Sequence, residues 1–95
     1  GLGSLQLGAL PIGERSTIEQ RCLEALVEAT GDGEWVVRYA VAVGLEGLAL
    51  GSGWQPGHAN HSSSCVALNR LSASDQEEAT VVRLRAALAL QRLLP

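Results

Sequence analysis

Apolar residues recur every three or four positions along most of this chain, which is the spacing of one face of an α-helix. Clusters of Gly, Pro, Ser and Asp divide the pattern into four stretches, and these predict helices over about residues 16–30, 33–49, 62–71 and 74–94. The positions expected to face inward are Ile18, Cys22, Leu23, Leu26, Val27, Val37, Val41, Gly44, Leu45, Leu48, Val66, Leu68, Leu71, Val82, Ala86, Ala89, Leu90 and Leu93. The pattern therefore predicts an all-α chain.

Three of the predicted helices begin with capping signals. Ser16 with Glu19, and Ser74 with Glu77, have the spacing of a capping box, in which each side chain accepts a hydrogen bond from a free backbone N–H at the helix start. Asp32 precedes the second apolar stretch and is expected to be the N-cap of that helix.

The chain contains an internal repeat. Residues 36–48 and 81–93 both begin with Val-Val-Arg and continue as an Ala- and Leu-rich helix, 45 positions apart. In the same register Leu23 aligns with Leu68, so the preceding helix repeats as well. A period of this length with two helices per unit is typical of HEAT and armadillo repeats, which stack and present a surface to a partner. The predicted fold is a HEAT-like α–α superhelix of two helix pairs.

The repeat also predicts how the chain is organised. We expect repeat one over residues 16–50, a connector over 51–61 and repeat two over 62–95, preceded by a weakly ordered arm over 1–15. Two repeats leave the ends of the stack uncovered, whereas helical arrays usually need at least three units or capping repeats. A homodimer or an association with a different subunit is therefore predicted. The candidate contact residues are Trp35, Tyr39, Leu84 and Leu88.

Charge and composition narrow the range of functions. The chain carries 7 Lys and Arg against 10 Asp and Glu, for a net charge of −3 at pH 7, and it has no basic cluster, which argues against nucleic acid as a partner. Arg38 and Glu46 interrupt the most apolar stretch before it reaches the ~18 residues that a membrane helix needs, so no membrane insertion is expected. Cys22 and Cys65 are expected to be reduced thiols in a cytosol-like compartment.

Arginine residues occupy matching positions near the start of the second helix of each repeat. Arg38 follows Asp32 by six positions, and Arg83 follows Glu77 by the same interval. This arrangement predicts ion pairs that hold stacked repeats together, with Asp32 or Glu77 as the partner of Arg38. The alternative is that Arg38 binds a carboxylate of a ligand, for which the planar guanidinium is suited.

Trp35, Tyr39 and Val43 recur at helical spacing outside the main apolar stripe of the second helix. One interpretation is that this face packs on the first helix or on a neighbouring repeat. The other is an exposed apolar patch for a protein or a planar pigment, since Trp and Tyr are frequent anchors of interfaces.

His58, His61 and Cys65 have a spacing found among zinc ligands, and a Cys–His pair can also serve as a nucleophile. The loop offers no second close pair of ligands, and no orienting acid or oxyanion-hole motif accompanies the cysteine. We therefore predict no metal site and assign no catalytic residue. The segment from Trp54 to His61 is expected to be a solvated connector or a loop that reaches a partner.

Residues 33–46, Gly-Glu-Trp-Val-Val-Arg-Tyr-Ala-Val-Ala-Val-Gly-Leu-Glu, resemble the HEAT-like repeat of the E/F-type phycobilin lyases. In that family an acidic residue precedes a Trp-x-Val-Arg-Tyr-Ala run, which Asp32 and the residues from Trp35 to Ala40 match. The second repeat matches more loosely, with Thr80 in place of Trp and Leu84 in place of Tyr. The resemblance extends over about residues 16–94.

The resemblance implies a role in phycobilisome biogenesis in the cyanobacterial cytosol, with thylakoid association through the phycobilisomes. Family members help to attach a linear tetrapyrrole bilin through a thioether to cysteines of phycobiliprotein subunits, or isomerise or remove it, and they often act as heteromeric pairs. The expected ligand is a transiently bound phycocyanobilin or phycoerythrobilin, without a tightly bound cofactor. The expected partners are a phycobiliprotein subunit and a second lyase subunit.

The candidate residues for contact with a bilin or a partner are Trp35, Arg38 and Tyr39 of the matching run, together with Trp54 and His58 of the loop. Family members have more repeats than the two predicted here. The alternative function is a non-catalytic HEAT-repeat scaffold that binds only proteins.

Overall fold

The computed structural model describes residues 12–95, which form four helices. These are α1 (Ile12–Ala29), α2 (Trp35–Ser52), α3 (Ala59–Ser72) and α4 (Thr80–Leu93). No strand occurs within the described residues. The predicted all-α class is therefore confirmed.

The helices form two layers. Short connections join α1 to α2 and α3 to α4, so the members of each pair run antiparallel. Across the pairs, α2 packs on α4 and α1 packs on α3, and the α2–α4 interface is the more extensive of the two. This is the arrangement of two stacked helix-pair repeats, as the 45-residue period predicts.

The core lies between the two layers and at the α2–α4 interface. Leu45, Leu68, Leu71 and Val82 are its largest fully buried apolar side chains. Residues at equivalent positions of the two repeats are buried together, since Val41 and Ala86, Leu48 and Leu93, and Leu23 and Leu68 all lie in the same cluster.

Gly44 lies where α1 packs on α2. A Cβ atom at this position would lie 3.0 Å from Cδ2 of Leu26, which is tighter than ordinary van der Waals contact. Gly44 therefore allows Leu26 to pack directly on the backbone of α2, and this is a physical reason for a residue of low helix propensity in the middle of a helix.

The start of α1 differs from the prediction. The helix begins at Ile12, so Ser16 lies within it and the proposed capping box of Ser16 and Glu19 is wrong. Glu14 lies in the first turn, where a negative charge interacts favourably with the helix dipole. Of the predicted arm, residues 12–15 are helical, and residues 1–11 lie outside the described part of the chain.

The starts of α2 and α4 are also displaced. The N-caps are Glu34 and Ala79, and neither makes a side-chain capping bond. Asp32 instead accepts a hydrogen bond from the Glu34 N–H at 2.8 Å through Oδ1, and Glu77 accepts one from the Ala79 N–H at 3.0 Å through Oε2. Asp32 is thus not the N-cap, and Ser74 and Glu77 do not form a capping box; both acids act in the loop two residues before the cap.

The connection between the repeats is shorter than predicted. The helix α3 begins at Ala59 and not at Ser62, so the helices are joined by residues 53–58, within the usual range of about 2–8 residues. His58 is the N-cap, and its Nδ1 accepts a hydrogen bond from the Asn60 N–H at 3.0 Å. Gly53 ends α2 in the left-handed conformation, with φ of 69°, that glycine adopts without strain.

Three residues that were predicted to face inward are exposed. Val66 has 70% of its surface exposed, and Val27 and Val37 have 39% and 36% of theirs exposed. For Val66 the reason is the orientation of α3, which buries His61, Ser64, Ala67, Leu68 and Leu71. The inward face of α3 therefore contains polar side chains that an apolar pattern cannot reveal.

Candidate binding surface

Arg38 links the two repeats through two hydrogen bonds to one carboxylate. Its Nε donates to Oε1 of Glu77 at 2.7 Å, and its Nη2 donates to Oε2 at 2.9 Å. Its Nη1 donates to the backbone carbonyl of Asp32 at 2.8 Å. The guanidinium thus uses all three nitrogen atoms inside the protein, and only 9% of the residue is exposed.

Glu77 is also buried, and only 3% of its surface is exposed. The hydrogen bond from Arg38 is the largest influence on the pKa of Glu77 and holds it below the ordinary value, although burial acts in the opposite direction. The same hydrogen bond raises the pKa of Arg38. The pair therefore remains ionised at neutral pH and joins α2 to the loop before α4.

Arg83 makes no salt bridge within residues 12–95. Its Nη1 donates to the backbone carbonyl of Glu77 at 2.6 Å, and its Nη2 donates to Oγ1 of Thr80 at 3.0 Å. The carboxylate of Asp32 likewise has no arginine partner among the described residues. Of the four residues predicted to form ion pairs between repeats, the structure joins Arg38 and Glu77.

A second ionic cluster, which was not predicted from the sequence, lies between the repeats. Glu46 of α2 accepts hydrogen bonds from Nη1 of Arg85 at 2.8 Å and from Nη1 of Arg92 at 3.0 Å. Burial has the largest single effect on the pKa of Glu46 and raises it, but the bonds from the two arginines outweigh burial and the pKa is lowered. One negative and two positive charges leave this cluster with a net positive charge.

The outer side of the α2–α4 layer is apolar. On α2, Trp35 is 49% exposed, and Val36 and Val43 are also exposed; on α4, Leu84 is 67% exposed, with Val81 and Leu88 exposed beside it. Val36, Tyr39 and Val43 are the repeat equivalents of Val81, Leu84 and Leu88. Because equivalent positions of stacked repeats point the same way, they form one surface. We call it the α2/α4 face: Trp35, Val36, Tyr39, Val43, Val81, Leu84 and Leu88.

Tyr39 differs from its neighbours on this face. It is partly buried and packs against the hydrophobic core. Trp35 therefore protrudes from the surface, whereas Tyr39 is anchored in the core. Contiguous exposed apolar surface of this kind marks interaction sites.

Arg92 borders the α2/α4 face. It lies four residues after Leu88, on the same side of the helix, and 53% of its side chain is exposed although it contacts Glu46. The face therefore combines an apolar surface with an accessible guanidinium.

Trp54 and His58 lie elsewhere. Trp54 belongs to the core, and its ring stacks on that of His58 with centroids 6.1 Å apart. The full length of α2, about 27 Å at 1.5 Å per residue, separates Trp35 from Trp54. The structure thus does not bring Trp54 and His58 to the same site as Trp35 and Tyr39, and the connector is anchored by Trp54 and is not simply solvated.

His61 and Cys65 form a contact inside the second repeat. The Nε2–H of His61 donates to the carbonyl of Leu93 at 2.9 Å, which leaves Nδ1 to accept from the Cys65 thiol at 3.8 Å. Burial raises the pKa of the Cys65 thiol, which disfavours a reactive thiolate. Within the described residues, no three His, Cys, Asp or Glu residues are placed to hold a metal ion.

A groove runs between α1 and α3 on the opposite side of the molecule. Its volume is about 600 Å³, and Leu23, Val27, Val66 and Ala67 provide its apolar part. Its rim carries Gln20, Glu24, Glu28, Thr30, Ser62, Ser63 and Arg70. The groove was not predicted from the sequence, because the spacing of apolar residues placed Val27 and Val66 in the core.

None of the four helices of the described part is long and apolar enough to cross a membrane.

Curated proteins of phycobilisome assembly are similar to this chain. The bilin biosynthesis protein RpcF of Synechococcus sp. strain WH8020 is 50% identical over 92 residues, which cover 96% of this chain and 41% of that protein. The phycocyanobilin lyase subunit beta of Nostoc sp. strain PCC 7120 is 38% identical over 85 residues, or 88% of this chain and 39% of that protein. The phycobilisome maturation protein of Synechococcus elongatus is 40% identical over 96 residues, which cover 98% of this chain and 42% of that protein.

No family model matches the chain, and no solved structure matches it. The chain spans about two fifths of the length of the curated relatives that it matches. The identity to these relatives extends over almost the whole chain and thus over both helix pairs, in agreement with the Trp-x-Val-Arg-Tyr-Ala run at the start of α2. These similarities confirm the resemblance of the chain to the E/F-type phycobilin lyases.

Proposed function

We propose that this chain assists the attachment of a linear tetrapyrrole bilin to cysteines of a phycobiliprotein subunit, as a binding component of a lyase. The observation that carries the proposal is the α2/α4 face, because two residues of the run that resembles the lyase repeat lie on it: Trp35 is exposed, and Tyr39 is half-buried beside it. The names of the relatives, among them a bilin biosynthesis protein and a phycocyanobilin lyase subunit, support it.

The chemistry of the face suits a pigment with an apolar, conjugated body and carboxylate groups. Trp35 and Tyr39 would stack on the pyrrole rings, and Arg92 would bind a propionate through the edge of its guanidinium that is accessible to solvent. Arg38 would not contact the bilin, because its nitrogen atoms are already used by Glu77 and Asp32. Its role would be to stabilise the stacking of the two repeats through Glu77.

The groove between α1 and α3 is a less suitable site for this ligand. Its volume falls in the range of about 300–1,000 Å³ that is usual for ligand pockets. However, two carboxylates, Glu24 and Glu28, line it against one cation, Arg70, so the groove has a net negative charge that would disfavour the propionates of a bilin.

The remaining partners follow from the same proposal. A bilin bound on an open face still needs a surface that excludes water and presents the acceptor cysteine, and a phycobiliprotein subunit together with a second lyase subunit would supply these. The bilin would be phycocyanobilin or phycoerythrobilin, bound transiently. The proposed compartment is the cyanobacterial cytoplasm, next to the phycobilisomes.

A capture experiment with the intact chain tests this function. The chain is immobilised and mixed with a phycobiliprotein apo-subunit, with and without phycocyanobilin. We expect the pigment to increase the amount of subunit retained, because the bound pigment would lie between the α2/α4 face and the subunit and would contact both. Retention of the subunit that is independent of pigment, together with no binding of pigment alone, would support the alternative of a protein-binding scaffold and contradict the proposal.

A further inference from the structure

The α2–α4 layer is rich in positive charge, although the chain as a whole is acidic. The chain carries a net charge of −3 at pH 7. Within α2 and α4, one acid stands against several arginines: Glu46 against Arg38, Arg83, Arg85 and Arg92. The layer that carries the α2/α4 face therefore favours a ligand with negative charge.

Glu46 holds two of these arginines next to each other, in the interior of the layer where α2 packs on α4. Nη1 of Arg85 donates to Oε1 of the carboxylate at 2.8 Å, and Nη1 of Arg92 donates to Oε2 at 3.0 Å. The side chain of Glu46 is 10% exposed, and those of Arg85 and Arg92 are 16% and 53% exposed. One carboxylate balances only one of the two guanidinium groups, so a positive charge remains at a site that is partly shielded from water.

Both guanidinium groups have donors left for a second carboxylate. Within residues 12–95, Glu46 is the only hydrogen-bond partner of either group, and each contacts it through Nη1 alone. The planar guanidinium presents its remaining N–H groups in a geometry that matches a carboxylate. A carboxylate placed between Arg85 and Arg92, away from Glu46, would receive hydrogen bonds from both and would balance the remaining charge.

Exposed apolar residues border this ionic cluster. They lie three or four positions from its members and thus on the same side of each helix: Val43 and Leu50 beside Glu46, Val81 beside Arg85, and Leu88 beside Arg92. A ligand whose carboxylate reached the two arginines would place its apolar body on these side chains. The body would exclude water from the ionic contact and so strengthen it.

We propose that Arg85 and Arg92 together bind one carboxylate of the pigment, which makes Arg85 a second ligand-binding arginine of the α2/α4 face. The inference rests on the proposed function and adds to it the site of one propionate. The class of ligand is a carboxylate joined to an apolar, conjugated body. Glu46 contacts the two arginines and not the ligand, and it holds their guanidinium groups close together.

Titration of the intact chain with phycocyanobilin and with its dimethyl ester tests the inference. The ester keeps the conjugated body and lacks the carboxylates, so the wild type should bind it at least about 10-fold more weakly, which corresponds to about 1.4 kcal/mol. Arg85→Gln should weaken binding of the acid by a similar factor and leave the affinity for the ester nearly unchanged. The double variant Arg85→Gln/Arg92→Gln should bind the two forms about equally. Unchanged affinity for the ester also shows that each variant is folded.

Arg70→Gln is the matched control, because it removes an exposed arginine of α3 that lines the α1/α3 groove. It should keep the preference for the acid. Equal binding of the two forms by the wild type, or an undiminished preference in Arg85→Gln, would overturn this inference and leave the proposed function standing. Loss of the preference in Arg70→Gln alone would place the carboxylate in the groove and would also overturn it. If the wild type binds neither form, the proposed function fails and this inference fails with it.

Discussion

Arg38 and Glu77 lie 39 positions apart in the sequence and form a two-point hydrogen bond between the repeats, with N–O distances of 2.7 and 2.9 Å. The pair lies at the end of the molecule where the loop before α2 meets the loop before α4. Because a third bond ties Arg38 to the carbonyl of Asp32, one side chain fixes the positions of both loops and of the first turn of α2.

We predict that Glu77→Gln destabilises the protein by about 1.5–3 kcal/mol, the value of hydrogen bonds to charged groups, because the buried Arg38 would lose its counter-charge. Glu78→Gln is the matched control, since Glu78 is an exposed neighbour, and it should change the free energy of unfolding by less than about 0.5 kcal/mol. Urea denaturation followed by circular dichroism measures both. Equal stability of the two variants would show that the pair is not structurally important.

Arg38→Ala should also lower the melting temperature, and Glu77→Gln should then have little further effect, because the two residues act as one unit. Binding of pigment by the folded fraction should be nearly unchanged. An unchanged melting temperature together with lost pigment binding would instead assign Arg38 to the ligand site.

Stability should depend on pH below the ordinary glutamate range. The pKa values of Glu46 and Glu77 are both lowered in the folded protein. Their contribution to the free energy of unfolding is therefore fully present above the unfolded-state pKa of about 4.3. It is lost as the pH falls through the lowered pKa values of the folded state. Denaturation midpoints measured from pH 7 downwards should show this fall, and the double variant Glu46→Gln/Glu77→Gln should show a weaker one. The same slope in the variant would mean that other groups cause the loss.

Replacing Gly44 and Gly51 by alanine should have opposite effects. Gly51 lies in the last turn of α2 with no atom close to the position of a Cβ, so Gly51→Ala should stabilise the protein by up to about 1 kcal/mol through helix propensity. Gly44→Ala should destabilise it, because the new Cβ would displace Leu26. Thermal melts of the two variants test the close approach of α1 and α2, and a gain of stability in Gly44→Ala would contradict it.

The orientation of α3 can be tested with two residues of the same helix. Leu68 is fully buried, so Leu68→Ala should cost about 2–5 kcal/mol. Val66 is exposed, so Val66→Ala should cost less than about 0.5 kcal/mol. A large loss for Val66→Ala in chemical denaturation would mean that α3 faces the other way.

Much of the fold could be predicted from the sequence, because the spacing of apolar residues and the 45-residue repeat both constrain it. The periodicity of apolar residues predicts four helices, and the 45-residue register places Val41 with Ala86 and Leu48 with Leu93 in the core. The same register indicated Glu77 as a possible partner of Arg38. Both predictions follow from positions that recur, and they do not depend on where each helix begins.

The helix starts and the exposure of single residues could not be predicted in this way. Asp32 and Glu77 each bond a backbone N–H from the loop before a helix, and this competes with the capping positions that the sequence suggested. The orientation of α3 is set by buried polar contacts such as that of His61 with Leu93, so the exposure of Val66 was not visible in the apolar pattern.

The ionic cluster of Glu46, Arg85 and Arg92 was equally hidden. Glu46 lies 39 and 46 positions from its two partners, and their contact depends on how α2 and α4 are rotated against each other. The repeat gave no signal for the cluster, because Ala40, Gly47 and Gln91 occupy the equivalent positions.

The most direct test of the proposed function is an absorbance and fluorescence titration of the intact chain with phycocyanobilin. We expect saturable spectral changes for the wild type and weaker binding for Trp35→Ser and Arg92→Gln, by about 10-fold or more if each loses a contact of 1.4 kcal/mol. The matched control Val66→Ser, which changes an exposed apolar residue of the α1/α3 groove, should bind as the wild type does. Normal binding by Trp35→Ser with loss of binding by Val66→Ser would move the site to the groove, and the absence of any spectral change in the wild type would contradict pigment binding by this chain.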